Sequence, residues 1–113
     1  LPPSHSHLAY VGKIACLHGP EEAEKEMRLI VQEGGIIEDV SIEHPIYGLL
    51  TSSLNIQTEK DIQQFMTRIE KSKAGLLSDL TQGIHLHTIS CASENIFDRI
   101  KAKLAAEGIL LTD

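Results

Sequence analysis

The sequence predicts an α+β domain, a two-layer sandwich in which helices cover one face of a mainly antiparallel sheet. Segments with strand-like alternation and segments with helical periodicity follow each other in the order β-α-β-β-α-β-α, with a short strand at the end. Two of the strands are joined by a tight turn, which favours antiparallel pairing. A chain of 113 residues has room for one core, so we expect one domain.

The first strand and helix occupy the start of this pattern. Residues 10–17 form a compact apolar run, which indicates a strand. Pro20 suits the first helical position, because its missing N–H would have no partner there. Apolar residues then recur at i, i+4, i+7 and i+8 from Ala23, and Gly34 ends the helix.

A predicted hairpin follows. Residues 36–43 alternate strictly, which places Val40 on one face of the strand and Ile37 on the other. Pro45 breaks the pattern, and residues 47–54 are interpreted as the return strand. The two segments are expected to pair antiparallel.

The second half of the chain supplies two helices and a strand. Thr58 and Asp61 resemble a capping box with Asp in place of Glu, which marks the start of the second helix. Its buried stripe consists of four apolar residues: Ile62, Phe65, Met66 and Ile69. Residues 84–91 alternate as a strand. Apolar residues at positions 96, 97, 100 and 104 mark the third helix, which Gly108 closes, and residues 109–111 are predicted as a short edge strand.

Composition and charge exclude several classes of protein. The chain is 42% apolar and 23% charged, as expected for a folded domain. Its net charge is −6 and its basic residues are scattered, so this part of a protein should not bind DNA by itself. Without an apolar run of roughly 20 residues or a signal sequence, the chain is expected in the cytoplasm.

The start of the chain is interpreted as a linker. Residues 1–9 are rich in Pro, Ser and His and begin without Met, so we expect that the chain belongs to a longer protein. Residues 10–113 are assigned to a single folded domain. The two cysteines, Cys16 and Cys91, each lie in an apolar run and are predicted to be buried free thiols, because neither has metal-type spacing.

His85-Leu86-His87 is the most informative tripeptide. Side chains in a strand repeat every two residues, so both imidazoles should lie on one face, about 6.5 to 7 Å apart. We expect Leu86 and Ile84 to face the core and the histidines to lie on a face that apolar packing does not use. The pair could supply two ligands for one metal ion. The alternative is that both are ordinary histidines, exposed or hydrogen-bonded, that bind no metal.

Two further ligands come from the first strand-to-helix junction. His18 ends the first strand, where folds of this class gather functional groups. Glu26 lies on the flank of the buried stripe of the following helix, and Glu22 lies one turn earlier on the same flank. From the sequence both glutamates are candidates for the fourth ligand.

The other histidines carry weaker signals. His44 sits where a strand enters a turn, and it either is satisfied by backbone groups or lines a pocket. His5 and His7 repeat the two-residue spacing in a segment without a strand pattern, and we do not expect them to be native ligands.

We expect no enzymatic activity. The sequence lacks a nucleophile elbow and a glycine-rich phosphate loop. A phosphocarrier role for His18 is disfavoured by Glu21 and Glu22, which would repel phosphate. The alternatives are a metal-dependent hydrolase, with Glu22 or Glu26 as general base, and a domain with a purely structural metal.

Three motifs, in this order, resemble the 3H (three-histidine) domain: His18-Gly19-Pro20-Glu21-Glu22, Glu38-Asp39-Val40-Ser41-Ile42-Glu43-His44-Pro45-Ile46-Tyr47-Gly48 and Gly83-Ile84-His85-Leu86-His87-Thr88-Ile89. The resemblance covers nearly the whole chain. In that family the domain is the C-terminal, effector-binding half of NiaR-type repressors, which respond to nicotinic acid and control genes of NAD biosynthesis and niacin uptake. The family's helix-turn-helix DNA-binding domain is expected to be absent here, in line with the acidic charge.

The resemblance implies a fold similar to the phosphocarrier (HPr) arrangement, a homodimer and nicotinic acid as effector. It also implies a nickel- or zinc-type site and favours Glu26 over Glu22. The implied metal ligands are His18, Glu26, His85 and His87. His44 and Tyr47 are placed near the effector.

Overall fold

The computed structural model describes residues 10–72 and 80–111. The strands are β1 (Tyr10–Leu17), β2 (Ile36–His44), β3 (Gly48–Ile56) and β4 (Ile84–Cys91). The helices are α1 (Ala23–Gln32), α2 (Glu59–Lys71) and α3 (Glu94–Ala106), and the order of the elements is the predicted one. The predicted linker, residues 1–9, lies outside the described residues.

The sheet has four strands in the order β1-β4-β2-β3, and every neighbouring pair is antiparallel. The predicted α+β class and the two-layer arrangement are therefore confirmed, while the phosphocarrier-like topology stays a prediction. The expected final edge strand is wrong in extent, because residues 109–111 form only an isolated antiparallel bridge between Leu110 and Cys16. Gly108, with φ +75°, turns the chain from α3 towards the β1 edge.

Local sequence accounts for the helix ends. Thr58 and Asp61 make both hydrogen bonds of the predicted capping box at the start of α2. A single 3-10 turn, Pro20–Glu22, leads into α1, and Gly34 takes φ +92° after its last turn. No helix within the described residues has the length and apolar content that crossing a membrane requires.

The core lies between the helices and one face of the sheet. It contains isoleucines from β1, β2, β3 and β4 packed against side chains of all three helices: Ile14, Ile37, Ile56, Ile89, Met27, Ile30, Ile62, Phe97, Ile100 and Leu104. This burial of apolar surface is the main force that holds the two layers together.

The predicted face pattern of β2 is wrong at one point. Val40 pairs with His87 and Ile37 pairs with Ile89, and all four side chains face the helices. A register shift between Ile37 and Asp39 makes this possible, because a β-bulge adds one residue and interrupts the two-residue alternation.

The opposite face of the sheet is not covered by helices. It carries several exposed apolar side chains: Val11, Leu17, Leu49 and Ile84. Leu17 and Ile84 are direct partners in the β1–β4 ladder, so their exposure marks a continuous apolar strip. A groove of about 400 Å³ lies on this side, lined in part by Ala15, Leu86 and Leu111.

Candidate functional site

A buried carboxylate surrounded by three histidines lies between α1 and the sheet. The Nε2 atoms of His18 and His85 lie 2.7 and 2.8 Å from Oε2 of Glu26, and Nε2 of His87 lies 2.7 Å from Oε1. All four side chains are buried, with at most 7% of any residue exposed. We call these four residues the Glu26 cluster. The structure thus brings together the four predicted ligand residues.

The sheet register places the histidines. His85 and His87 lie on β4, opposite Cys16 and Ile14 of β1, and His18 follows directly after the end of β1. Since β1 and β4 are neighbours, three imidazoles from two distant parts of the chain meet on one face.

The predicted orientation of β4 is wrong. His85 and His87 face the helices and are 3% exposed, whereas Ile84 lies on the uncovered face and is 45% exposed. The reason is that the histidines share their strand face with Ile89 and Cys91, which belong to the core. The HxH pair is therefore a buried polar layer at the edge of the core.

Glu26 reaches the histidines because it lies on the buried side of α1, next to Met27 and one turn before Ile30. It is 2% exposed, while Glu22 is half-buried and acts on His18 only as a nearby charge. Of the two glutamates that the sequence offered, the structure thus selects Glu26 as the partner of the histidines.

Each imidazole is fixed by a backbone carbonyl on its other side. Nδ1 of His18 donates to the carbonyl of Gly19 at 2.7 Å, and Nδ1 of His85 donates to that of Gly83 at 2.8 Å. Nδ1 of His87 donates to the carbonyl of Asp39, also at 2.8 Å. A carbonyl can only accept, so Nδ1 carries the proton in all three rings. In a neutral ring Nε2 is then an acceptor that faces another acceptor, and a cation between them resolves this conflict.

The charges in the cluster depend on one another. Burial alone would raise the pKa of Glu26, but the charge of His87 and the hydrogen bonds from the histidines hold it well below its ordinary value. Burial lowers the pKa of His18 and of His87, and contact with Glu26 outweighs this, so both pKa values are raised. The carboxylate is thus ionised and attracts positive charge into the site.

Cys16 also lies at the Glu26 cluster, which its sequence spacing did not predict. Its buried thiol, a carboxylate oxygen of Glu26 and a ring nitrogen of His85 all lie within 4.8 Å of one another. Burial, and secondarily the charge of Glu26, raises the pKa of the Cys16 thiol. The available signal was the two-residue spacing of Cys16 and His18, which mirrors that of the two histidines on β4.

His44 and Tyr47 lie at the hairpin between β2 and β3. Nδ1 of His44 accepts hydrogen bonds from the backbone N–H groups of Ile46 and Tyr47, at 3.1 and 3.2 Å, and its ring packs against that of Tyr47. His44 lies four residues along β2 from Val40, or about 13 Å. The structure places neither residue in contact with the Glu26 cluster, and Tyr47 is 73% exposed. His5 and His7 lie outside the described residues.

A comparison with protein families decides the relationship that the motifs indicated. The family model of the 3H domain matches residues 11–113. The chain belongs to the 3H domain family.

Two curated relatives of this 3H domain are transcription repressors by name. It is 46% identical over 100 residues to the transcription repressor NadR of Bacillus subtilis (strain 168), covering 88% of the chain and 56% of the relative. It is 35% identical over 100 residues to the probable transcription repressor NiaR of Thermotoga maritima, covering 88% and 57%. The chain thus spans about half the length of these two relatives.

A third relative carries no functional name. An uncharacterized protein of Methanothermus fervidus is 27% identical over 116 residues, with 76% of this chain and 18% of that protein covered.

Gly83 holds two parts of the site together. Its carbonyl accepts from Nδ1 of His85 and from the backbone N–H of His18, and its φ is +96°. A Cβ at this position would collide with the carbonyl oxygen of His18. Gly48, with φ +77° and open space around it, is the matched control.

We expect Gly83→Ala to lower the free energy of unfolding by about 2 to 4 kcal/mol, from backbone strain and the collision together. Gly48→Ala should cost about 1 to 2 kcal/mol, from the strained φ alone. Urea unfolding of both variants measures the difference. Equal losses would show that the close approach between Gly83 and His18 contributes nothing.

Proposed function

We propose that this 3H domain is the effector-sensing domain of a bacterial transcription repressor and that its buried cluster binds one divalent transition metal ion. His18, Glu26, His85 and His87 are the proposed ligands, and the ion is of the nickel or zinc type. The observation that carries the proposal is the commitment of all three Nδ1 atoms to backbone carbonyls while all three Nε2 atoms meet an ionised carboxylate.

The charge of the buried cluster favours a metal over protons. Protons could link the Nε2 atoms to Glu26 only by making three imidazolium ions around one carboxylate, a net charge of about +2 in a site almost closed to water. One divalent ion with three neutral imidazoles and the carboxylate leaves about +1. Backbone carbonyls that orient the imidazoles are the usual outer partners of metal-binding histidines.

Nicotinic acid is the proposed effector, and NAD-biosynthesis and niacin-uptake genes are the proposed targets. The pyridine nitrogen and the carboxylate of nicotinic acid are both suitable ligands for a borderline metal ion with a free coordination position. His44 and Tyr47 are proposed to contact the effector from the hairpin. The support comes from the names of the two repressor relatives and from the clustering of the four proposed ligands.

The proposal assigns DNA binding to the part of the relatives that this chain does not span, in agreement with the net charge of −6. It includes a cytoplasmic homodimer, for which the exposed apolar strip of the uncovered sheet face offers a surface. Effector binding would shift this dimer from one arrangement to another. This requires that the effector binds the two arrangements with different affinities.

Isothermal calorimetry of nicotinate tests the proposal. We expect heat of binding with the metal-loaded domain and none after treatment with a chelator. The double variant His85→Ala/His87→Ala should behave like the chelated protein, and elemental analysis should find one metal ion per chain in the unchanged domain only. Normal nicotinate binding without metal would remove the metal from the effector site.

A purely structural metal is the second candidate, and the burial of all four ligands favours it. In that case the loaded domain would bind no nicotinate and would unfold when the metal is removed. The hydrolase alternative with Glu26 as general base has less support, because Glu26 is held by three histidines. Turnover of an ester or amide by the loaded domain would favour it.

A further inference from the structure

Cys16 differs from the second cysteine in what its thiol meets. Cys91 is equally buried on the same strand ladder, and its Sγ donates to the carbonyl of Ser93 at 3.3 Å. The Sγ of Cys16 instead lies beside the carboxylate of Glu26 and the ring of His85. Cys16 and His85 are direct partners in the β1–β4 ladder, so their side chains leave the sheet side by side towards α1.

The distances suit a common ion. Zn–S bonds are about 2.3 Å long and Zn–N or Zn–O bonds about 2.0 to 2.2 Å, so donors on opposite sides of one ion lie about 4.4 Å apart. The sulfur, the oxygen and the nitrogen lie within 4.8 Å of one another, which is close enough for the three atoms to become donors of one ion.

We infer that the Cys16 sulfur is an additional donor to the metal centre, which therefore offers three nitrogens, one oxygen and one sulfur. The inference rests on the metal centre proposed above and extends it by a ligand type that the four-residue set lacks. As the metal–sulfur bond forms, the thiol proton leaves to the solvent.

Charge supplies an independent argument. Three neutral imidazoles, one carboxylate and a divalent ion leave a buried net charge of about +1, which is costly in a site whose residues are at most 7% exposed. A thiolate from Cys16 brings the net charge to zero. Among the described residues Cys16 is the one whose uncharged donor atom lies close enough to do this.

A sulfur donor changes which ions the site prefers. Thiolates favour zinc and other soft or borderline ions over magnesium, calcium and manganese. Five protein donors also leave one position of a six-coordinate ion for an outside ligand, and none of a five-coordinate one. The number of free positions at the centre would therefore depend on Cys16.

Cobalt(II) titration of the purified chain tests the inference, because cobalt reports sulfur ligation separately from binding. The unchanged chain should take up one equivalent and show visible d–d bands together with an intense near-ultraviolet sulfur-to-cobalt charge-transfer band. Cys16→Ser should keep the d–d bands, lose the charge-transfer band and bind at least about 10-fold more weakly. Cys91→Ser is the matched control and should keep both sets of bands.

The two proposals fail in different ways. The d–d bands without a charge-transfer band in the unchanged chain would overturn sulfur ligation and leave the four-residue centre standing. Absence of all bands would overturn the centre and with it the inference. If Cys16→Ser does not fold, X-ray absorption of the zinc-loaded Cys91→Ser chain decides the question: a sulfur neighbour at about 2.3 Å supports ligation, and nitrogen and oxygen neighbours alone refute it.

Discussion

Replacing Glu26 by Gln should abolish specific metal uptake and lower the free energy of unfolding of the metal-free chain by about 3 to 5 kcal/mol, the usual loss when one partner of a buried charged group is removed. The carboxylate contacts all three histidines and is 2% exposed. The neutral amide cannot offset positive charge and can donate to only part of the cluster. Urea unfolding with chelator present measures the stability change, and elemental analysis measures the metal.

Glu22→Gln is the control for this experiment. Glu22 is also acidic and lies one turn earlier, but it is only half-buried and acts on His18 through its nearby charge alone. We expect its replacement to change the free energy of unfolding by no more than about 0.5 kcal/mol and to leave metal uptake intact. Similar effects of the two variants would show that negative charge anywhere near the start of α1 is sufficient. The direct contacts of Glu26 with the histidines would then not be required.

Local sequence signals predicted the elements well. The capping box of Thr58 and Asp61 involves residues three apart, and the glycine after α1 acts within one turn. Such features need no information about the rest of the fold, which is why order and bounds of most elements were predictable.

Features that depend on pairing between distant segments were not predictable. Strict alternation in β2 hides the register shift between Ile37 and Asp39, which becomes visible only against β4. The choice between Glu26 and Glu22 depends on how α1 lies on the sheet. The proximity of Cys16 to the histidines depends on the register that pairs it with His85.

The error about His85 and His87 has a physical cause. Isoleucine and leucine are fully buried more often than histidine, which favours Ile84 and Leu86 as the core residues of this strand. Ile89 and Cys91 lie an even number of residues after His85 and His87, so the four side chains share one face of β4. Because Ile89 and Cys91 belong to the core, this spacing indicates that the histidines face the core as well. A polar pair on the apolar face of a strand is tolerated here because Glu26 and the backbone carbonyls satisfy it.

As pH rises above about 6.5, the metal-free chain should lose stability and the metal-loaded chain should gain it. The pKa values of His18 and His87 are raised in the folded chain, so their contribution to stability is complete below about pH 6.5, their ordinary pKa, and is lost as pH rises through the raised values. The pKa of Glu26 is lowered, so its contribution is present above its ordinary pKa of 4.5 and is lost as pH falls through the lower folded value. The metal-free chain should therefore be most stable between pH 4.5 and 6.5.

Metal reverses the trend at higher pH, because imidazole donors must be neutral to bind it and affinity rises as protons leave. An ion at about 1,000 times its dissociation constant stabilises the folded chain by about 4 kcal/mol. For a domain of this size that corresponds to a rise in melting temperature of roughly 15 °C. We expect a difference of this order between loaded and chelated protein at pH 8 and little difference at pH 5.

Thermal unfolding at several pH values, with and without metal, measures how the melting temperature of the metal-free and of the metal-loaded chain depends on pH. His44→Ala is the control, because His44 is a histidine outside the Glu26 cluster whose ring is satisfied by the hairpin backbone. It should leave both pH profiles in place, whereas His87→Ala should remove the metal-dependent rise. Parallel profiles for loaded and chelated protein would mean that the ion does not compete with protons for the imidazoles.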